Sequence, residues 1–185
     1  MLLISQLKNS LLTICGVLFF ISSFGQGVKW YSFEEAQELN KKEPRKMMVD
    51  VYTKWCGPCK MMMKQTFGNQ WVAEYINKNY YAIKFNAEGP DPITFQGKLF
   101  ENPSYMKDKP GRNATHQLTH AIAPVNGRIA YPTIVFIDEG LNLITPVQGF
   151  QQPKQFEPML KFIAENAYET SKWPDYMAAF KSELK

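Results

Sequence analysis

The chain has 185 residues, 45% of them hydrophobic and 14% aromatic. That suits one compact domain with a substantial core and argues against a disordered tail or a multidomain machine. The net charge of +4 comes from 21 basic and 17 acidic residues spread along the chain, without the Lys/Arg block that nucleic acid or an anionic membrane would call for.

Residues 1–25 differ in kind from the rest. Lys8 lies in a short polar start, a mostly apolar run follows from Leu11 to Ile21, and Ser23 and Gly25 then supply small residues where a signal peptidase reads. The expectation is an export signal cut after Gly25, leaving residues 26–185 as the domain in a periplasmic or secreted location. Two alternatives fit less well. The apolar run of about eleven residues is short of the roughly 20 that span a bilayer, and Ile14 is too bulky for the lipoprotein cleavage that would tether the chain through Cys15. Removal of the signal takes Cys15 with it, so Cys56 and Cys59 are the remaining cysteines. A bridge closing so short a loop constrains little of the unfolded chain. The pair therefore serves redox chemistry or a metal.

In chain order, Phe33, Ala36 and Leu39 recur at helical spacing behind a Ser32/Glu35 capping box. Lys46 to Tyr52, apolar except for Asp50, predicts a buried strand running into the cysteines. Gly57-Pro58 opens a helix, since proline is tolerated in a first turn, and Val72, Tyr75 and Ile76 continue a helical face to about Asn79. Tyr80 to Phe85 predicts a second strand. The stretch from Asn86 to Pro132 is longer than a helical crossover needs, so it holds an insertion, about 87–113, ahead of a helical pattern from Ala114 to Ile122. Thr133 to Asp138 and Leu141 to Val147 predict a hairpin across Glu139-Gly140. Phe156, Leu160 and Ile163 mark another helix, and Tyr176, Met177 and Phe180 mark a last docked one within about 172–184.

A helix start offers unpaired N–H groups and the positive end of the macrodipole, which stabilise a thiolate at Cys56. Cys59, one turn on, has its Cβ roughly 5 to 6 Å away, within reach of disulfide geometry after modest adjustment. Cys56 is thus the expected nucleophile and Cys59 the resolving thiol, with no cofactor beyond the pair itself. Asp50 has two readings. Buried, it carries a raised pKa and serves as proton acceptor for Cys59; on the other side of the pleat it merely meets water. Periodicity leaves both open.

The segment Val49-Asp50-Val51-Tyr52-Thr53-Lys54-Trp55-Cys56-Gly57-Pro58-Cys59-Lys60 resembles the thioredoxin family's strand, buried aspartate and active-site helix start, in register. Lys84-Phe85-Asn86 matches the second strand, whose lysine neighbours the aspartate, and Tyr131-Pro132-Thr133 matches the family's cis-proline element. Gly149 falls where a glycine follows the last strand. The resemblance covers Met47 to Ile163 with a gap at the insertion. It implies an α/β thioredoxin fold, a central mixed sheet flanked by helices, with the insertion before the cis-Pro strand. It also implies catalytic roles for Cys56, Cys59, Asp50 and Lys84, and a substrate-binding surface of Trp55, Gly57, Pro58, Tyr131 and Pro132. A cis Pro132 would expose the Tyr131 backbone for strand-like pairing with a client peptide.

Thr66-Phe67, Val72 and Tyr75-Ile76 resemble the exported branch that includes the C-terminal domain of a membrane electron transporter, and Lys64 stands where cytosolic thioredoxin has a helix-kinking proline. The Gly-Pro pair between the cysteines is similar to that of reducing members. The expected activity is therefore reduction of disulfides in exported proteins by a monomer that a membrane electron donor recharges. The competing readings are an isomerase or oxidase, a module binding Cu or Zn through its thiolates, and a binding scaffold. His116 and His120, four apart, can in principle share a metal, but no third ligand stands at matching spacing, and no metal site is expected. Met61, Met62 and Met63 are read as core filling. Tyr80, Tyr81, Phe95, Phe100 and Tyr105 either line a binding surface or cover the insertion's own core.

Overall fold

The computed structural model describes residues 27–184, so the expected signal over 1–25 and Cys15 lie outside the described residues. Five strands form one mixed sheet: β1 (Trp30–Tyr31), β2 (Lys46–Tyr52), β3 (Tyr80–Asn86), β6 (Thr133–Ile137) and β7 (Leu143–Gln148), in the order β1-β3-β2-β6-β7. β2 lies at the centre, parallel to β3 on one side and antiparallel to β6 on the other. Helices cover both of its faces, which is why the strand reads as an almost unbroken apolar run.

Alternation along β2 divides the core. Met47, Val49 and Val51 face helix α1 (Phe33–Lys42), the insertion and helix α4 (Gln117–Ile122). Met48 faces the other side, with helices α2 (Gly57–Gln65), α3 (Gln70–Asn79) and α5 (Pro153–Ala164). α1 starts at the expected capping box, with Ser32 Oγ accepting from Glu35 N and the Glu35 carboxylate accepting from Ser32 N.

Several elements differ from the sequence expectation. The helical face to Asn79 is two helices rather than one. Thr66 caps α2 and donates its hydroxyl to Gln151 O, and Asn69 caps α3 by accepting from Val72 N. Between them the backbone at Gly68 runs so close to Lys64 O that a Cβ there would lie 2.3 Å from it, so only glycine fits the break. β1, two residues parallel to β3, is too short to leave a periodic signal. The insertion contains a hairpin, β4 (Ile93–Phe95) and β5 (Lys98–Phe100), closed by Gln96 and Gly97 at positive φ. Its Phe95 and Phe100 are buried, Phe95 against Phe33, so these two serve a core rather than a surface. The helical pattern read from Ala114 begins only at Gln117, because His116 is its N-cap.

After α5 come α6 (Ala167–Thr170) and α7 (Trp173–Ala179), and Phe180 already leaves the helix. Tyr176 and Trp173 pack on Phe162, whereas Met177 points to solvent. Of the three methionines in α2, Met62 is buried, Met63 packs at the core edge and Met61 is exposed, so core filling holds for two of them. No helix among the described residues is long and apolar enough to cross a membrane.

Candidate active site

β2 ends at Tyr52, and a tight turn, Cys56 N donating to Thr53 O, delivers the chain to α2. Cys56 is the N-cap of that helix. Its Sγ accepts from Cys59 N at 3.1 Å, with Pro58 in the first turn where no intrahelical donor is lost. Cys59 is bonded to Cys56 in a disulfide with the two Cα atoms 5.3 Å apart. In this oxidised form the cysteines are nearly buried, at 2% and 3% exposure, while Gly57 and Pro58 between them are exposed.

Asp50 lies in the core and not on a face that meets water. It is 1% exposed, on the same side of β2 as Met48, and neither carboxylate oxygen has a hydrogen-bond partner. Burial raises its pKa to about 7, against the opposing pull of the Lys84 charge. Lys84 is its register partner on β3. Its ammonium lies 5.1 Å from the Tyr52 ring centroid and 5.9 Å from that of Trp30, and no ion pair joins it to Asp50 among the described residues. Lys84 therefore acts on Asp50 through its field and not by a direct bond. Thr53 Oγ1 is a further buried polar atom here without a partner.

Just before β6, the Tyr131-Pro132 peptide is cis. Pro132 O accepts from Gly149 N, tying the element to the end of β7, where Gly149 adopts φ 95°, a conformation that favours glycine. The Tyr131 backbone enters no hydrogen bond among the described residues. Its ring packs edge-on against Trp55 at 5.9 Å, and burial raises the pKa of its hydroxyl.

The residues that the sequence did not single out lie in and beside the insertion. Glu88, in the turn after β3, is nearly buried, and its Oε2 accepts from Trp55 Nε1 and from Asn113 N, each at 2.9 Å. The Arg112 guanidinium lies 4.2 Å from the Trp55 ring centroid. An acidic residue two positions beyond the family-like Lys84-Phe85-Asn86 strand was the available signal, but its partners are distant in sequence. His116 is structural: Nδ1 accepts from Leu118 N, Nε2 meets Asp91 O, and the ring packs on Phe85. Burial lowers its pKa, which keeps the ring neutral. His120 is exposed, so the two rings do not face a common point.

A family profile described as a thioredoxin-like domain matches residues 33–164. Chloroplastic thioredoxin Y of Oryza sativa subsp. japonica is 27% identical over 84 residues, 45% of this chain and 48% of that protein. The chain spans about half the length of the relatives it matches in sequence. A putative disulphide-isomerase from Bacteroides thetaiotaomicron shares the fold with a TM-score of 0.51 at 24% identity, over 79% of this chain and 97% of that one. A DsbH oxidoreductase does so with a TM-score of 0.52 at 14% identity, over 76% and 86%. With the family profile spanning most of the domain, and a cysteine pair closed as a disulfide at the start of α2, the chain belongs to the thioredoxin-like domain family.

Proposed function

We propose that the protein is an exported disulfide reductase that acts, once the signal over residues 1–25 is removed, on disulfides of other exported proteins. The observation that carries this reading is Cys56 Sγ at the N-cap of α2, accepting from Cys59 N. A thiolate at that point meets the same donor and the positive end of the helix. It attacks one sulfur of a client disulfide, forming a Cys56–client mixed disulfide and expelling the other client sulfur as thiolate. Cys59 passes its proton to the Asp50 carboxylate and attacks Cys56 Sγ. The second client thiolate leaves and the Cys56–Cys59 disulfide remains. Two electrons have then moved from protein to client, and no cofactor besides the cysteine pair takes part.

The free backbone groups of Tyr131 beside Pro132 support client binding by main-chain pairing, and Trp55, packed edge-on against Tyr131, with the exposed Gly57 and Pro58 would complete the binding surface. Lys84 tunes Asp50 through its charge. Because exported compartments are oxidising, the cycle requires recharging by a membrane dithiol donor. A monomer suffices for every step.

The reduction potential of the pair, measured by equilibration with glutathione, tests the direction of flow. The expected value is close to the roughly −270 mV of thioredoxin-type pairs, with ready reduction of insulin. A value well above the glutathione couple assigns the protein to oxidation or isomerisation instead. Stoichiometric Cu or Zn on the reduced protein, with no insulin reduction, assigns it to metal carriage.

A further inference from the structure

The insertion does more than elaborate a crossover, because it builds one wall of a cleft of about 360 Å³ directly beside Trp55. Lys107 and Lys109 line it from the insertion, Lys54 lines it from the turn before Cys56, and Arg112 lies on the Trp55 ring. None of these four cations is in an ion pair among the described residues, where Lys41, Arg45, Lys46 and Lys161 are the basic side chains that do find carboxylates. Two acidic residues stand near: Asp108 lies between the two lysines in sequence, and Glu88 also lines the cleft. The Glu88 carboxylate is engaged with Trp55 Nε1 and Asn113 N.

The wall is anchored rather than loose. Asn113 accepts from Met106 N at 2.9 Å and donates to Met106 O at 2.7 Å, closing the loop that carries the lysines. Through Glu88 that closed loop is fixed to the indole next to Cys56. Three cations from residues 107–112 are thus brought together with Lys54 beside Trp55, the residue before Cys56.

We propose that this basic cleft selects clients that carry acidic residues beside the disulfide to be reduced. The inference rests on the reductase reading and adds its substrate class. Main-chain pairing at Tyr131 is indifferent to sequence, so the flanking charges of the client decide among partners. Unpaired cations around a partly enclosed cleft attract an acidic segment and repel a basic one, an effect that salt weakens.

Three synthetic peptides of equal length test this, each with one internal disulfide flanked by Asp/Glu, by Ser/Gly or by Lys/Arg. At low salt, kcat/KM for the acidic peptide should exceed that for the basic one by on the order of tenfold, and the gap should close at about 0.5 M salt. The double variant Lys107→Glu/Lys109→Glu should reverse the order. Fluorescence anisotropy with disulfide-free, fluorescein-labelled acidic and basic peptides on the oxidised protein reports the cleft without turnover, and the acidic peptide should bind tighter. Equal kcat/KM and equal binding for the two charged peptides would overturn the proposal. If even the Ser/Gly peptide is not reduced, the reductase reading fails, and the anisotropy alone decides whether the cleft is selective for acidic segments.

Discussion

Cys56→Ser is expected to abolish insulin reduction, by at least about a thousandfold, because a hydroxyl at the N-cap of α2 supplies no thiolate to attack a disulfide. Cys59→Ser should stop the cycle one step later. The first exchange needs only the sulfur that accepts from residue 59's backbone N–H at 3.1 Å, and that backbone donor survives a serine substitution. The mixed disulfide then persists for want of a resolving thiol. On non-reducing gels of protein exposed to oxidised clients, Cys59→Ser should accumulate a covalent adduct through Cys56, and Cys56→Ser none. An adduct formed by Cys56→Ser through Cys59, and none by Cys59→Ser, would reverse the assigned roles. Both variants keep a small side chain at a nearly buried position, so a circular dichroism melt separates loss of chemistry from loss of fold.

The second large effect comes from Asp50. Its carboxyl, 1% exposed with neither oxygen hydrogen-bonded, has its pKa raised from 3.8 to about 7. In the unfolded chain the group ionises near the lower value, whereas the folded protein retains the proton until about the higher one. Between the two the folded state holds more protons, so stability falls as pH rises through this window and levels off above it. The full loss corresponds to roughly 4 kcal/mol. Asp50→Asn cannot ionise, so the oxidised variant should be more stable than the parent by up to roughly that amount at pH 8, and should differ little at pH 4. Urea unfolding at the two pH values checks this.

The same substitution should slow release from the mixed disulfide by about a hundredfold, by removing the proton acceptor. The parent's rise in resolution rate through pH 7 should disappear with it. A variant that is more stable at pH 8 yet resolves at the parent's rate would leave Asp50 buried but outside the chemistry.

Features set by near neighbours in the chain are legible in the sequence. Ser32 with Glu35 announces α1 because both capping hydrogen bonds close within one turn. The run from Lys46 into Cys56 announces the central strand and its helix because burial on both faces demands continuous apolar residues. The break at Gly68 was hidden, since helical spacing continues across it and only the approach to Lys64 O makes glycine necessary there. Asp50 was ambiguous for a related reason: alternation does not say whether the second face of β2 is covered, and α2, α3 and α5 cover it. Glu88, Arg112 and Asn113 were not singled out because their contacts to Trp55 and to each other span up to 57 residues of sequence distance or depend on how the insertion folds back.

The claim on which the mechanism depends is that the sulfur at the N-cap of α2 is ionised when reduced. Its most direct measurement is the rate at which iodoacetamide alkylates Cys56 in the reduced protein across pH, followed by mass spectrometry of the modified peptide. At pH 7 Cys56 should react about tenfold or more faster than a free cysteine in a model peptide, with Cys59 far slower. A Cys56 no more reactive than the model peptide at that pH would contradict it.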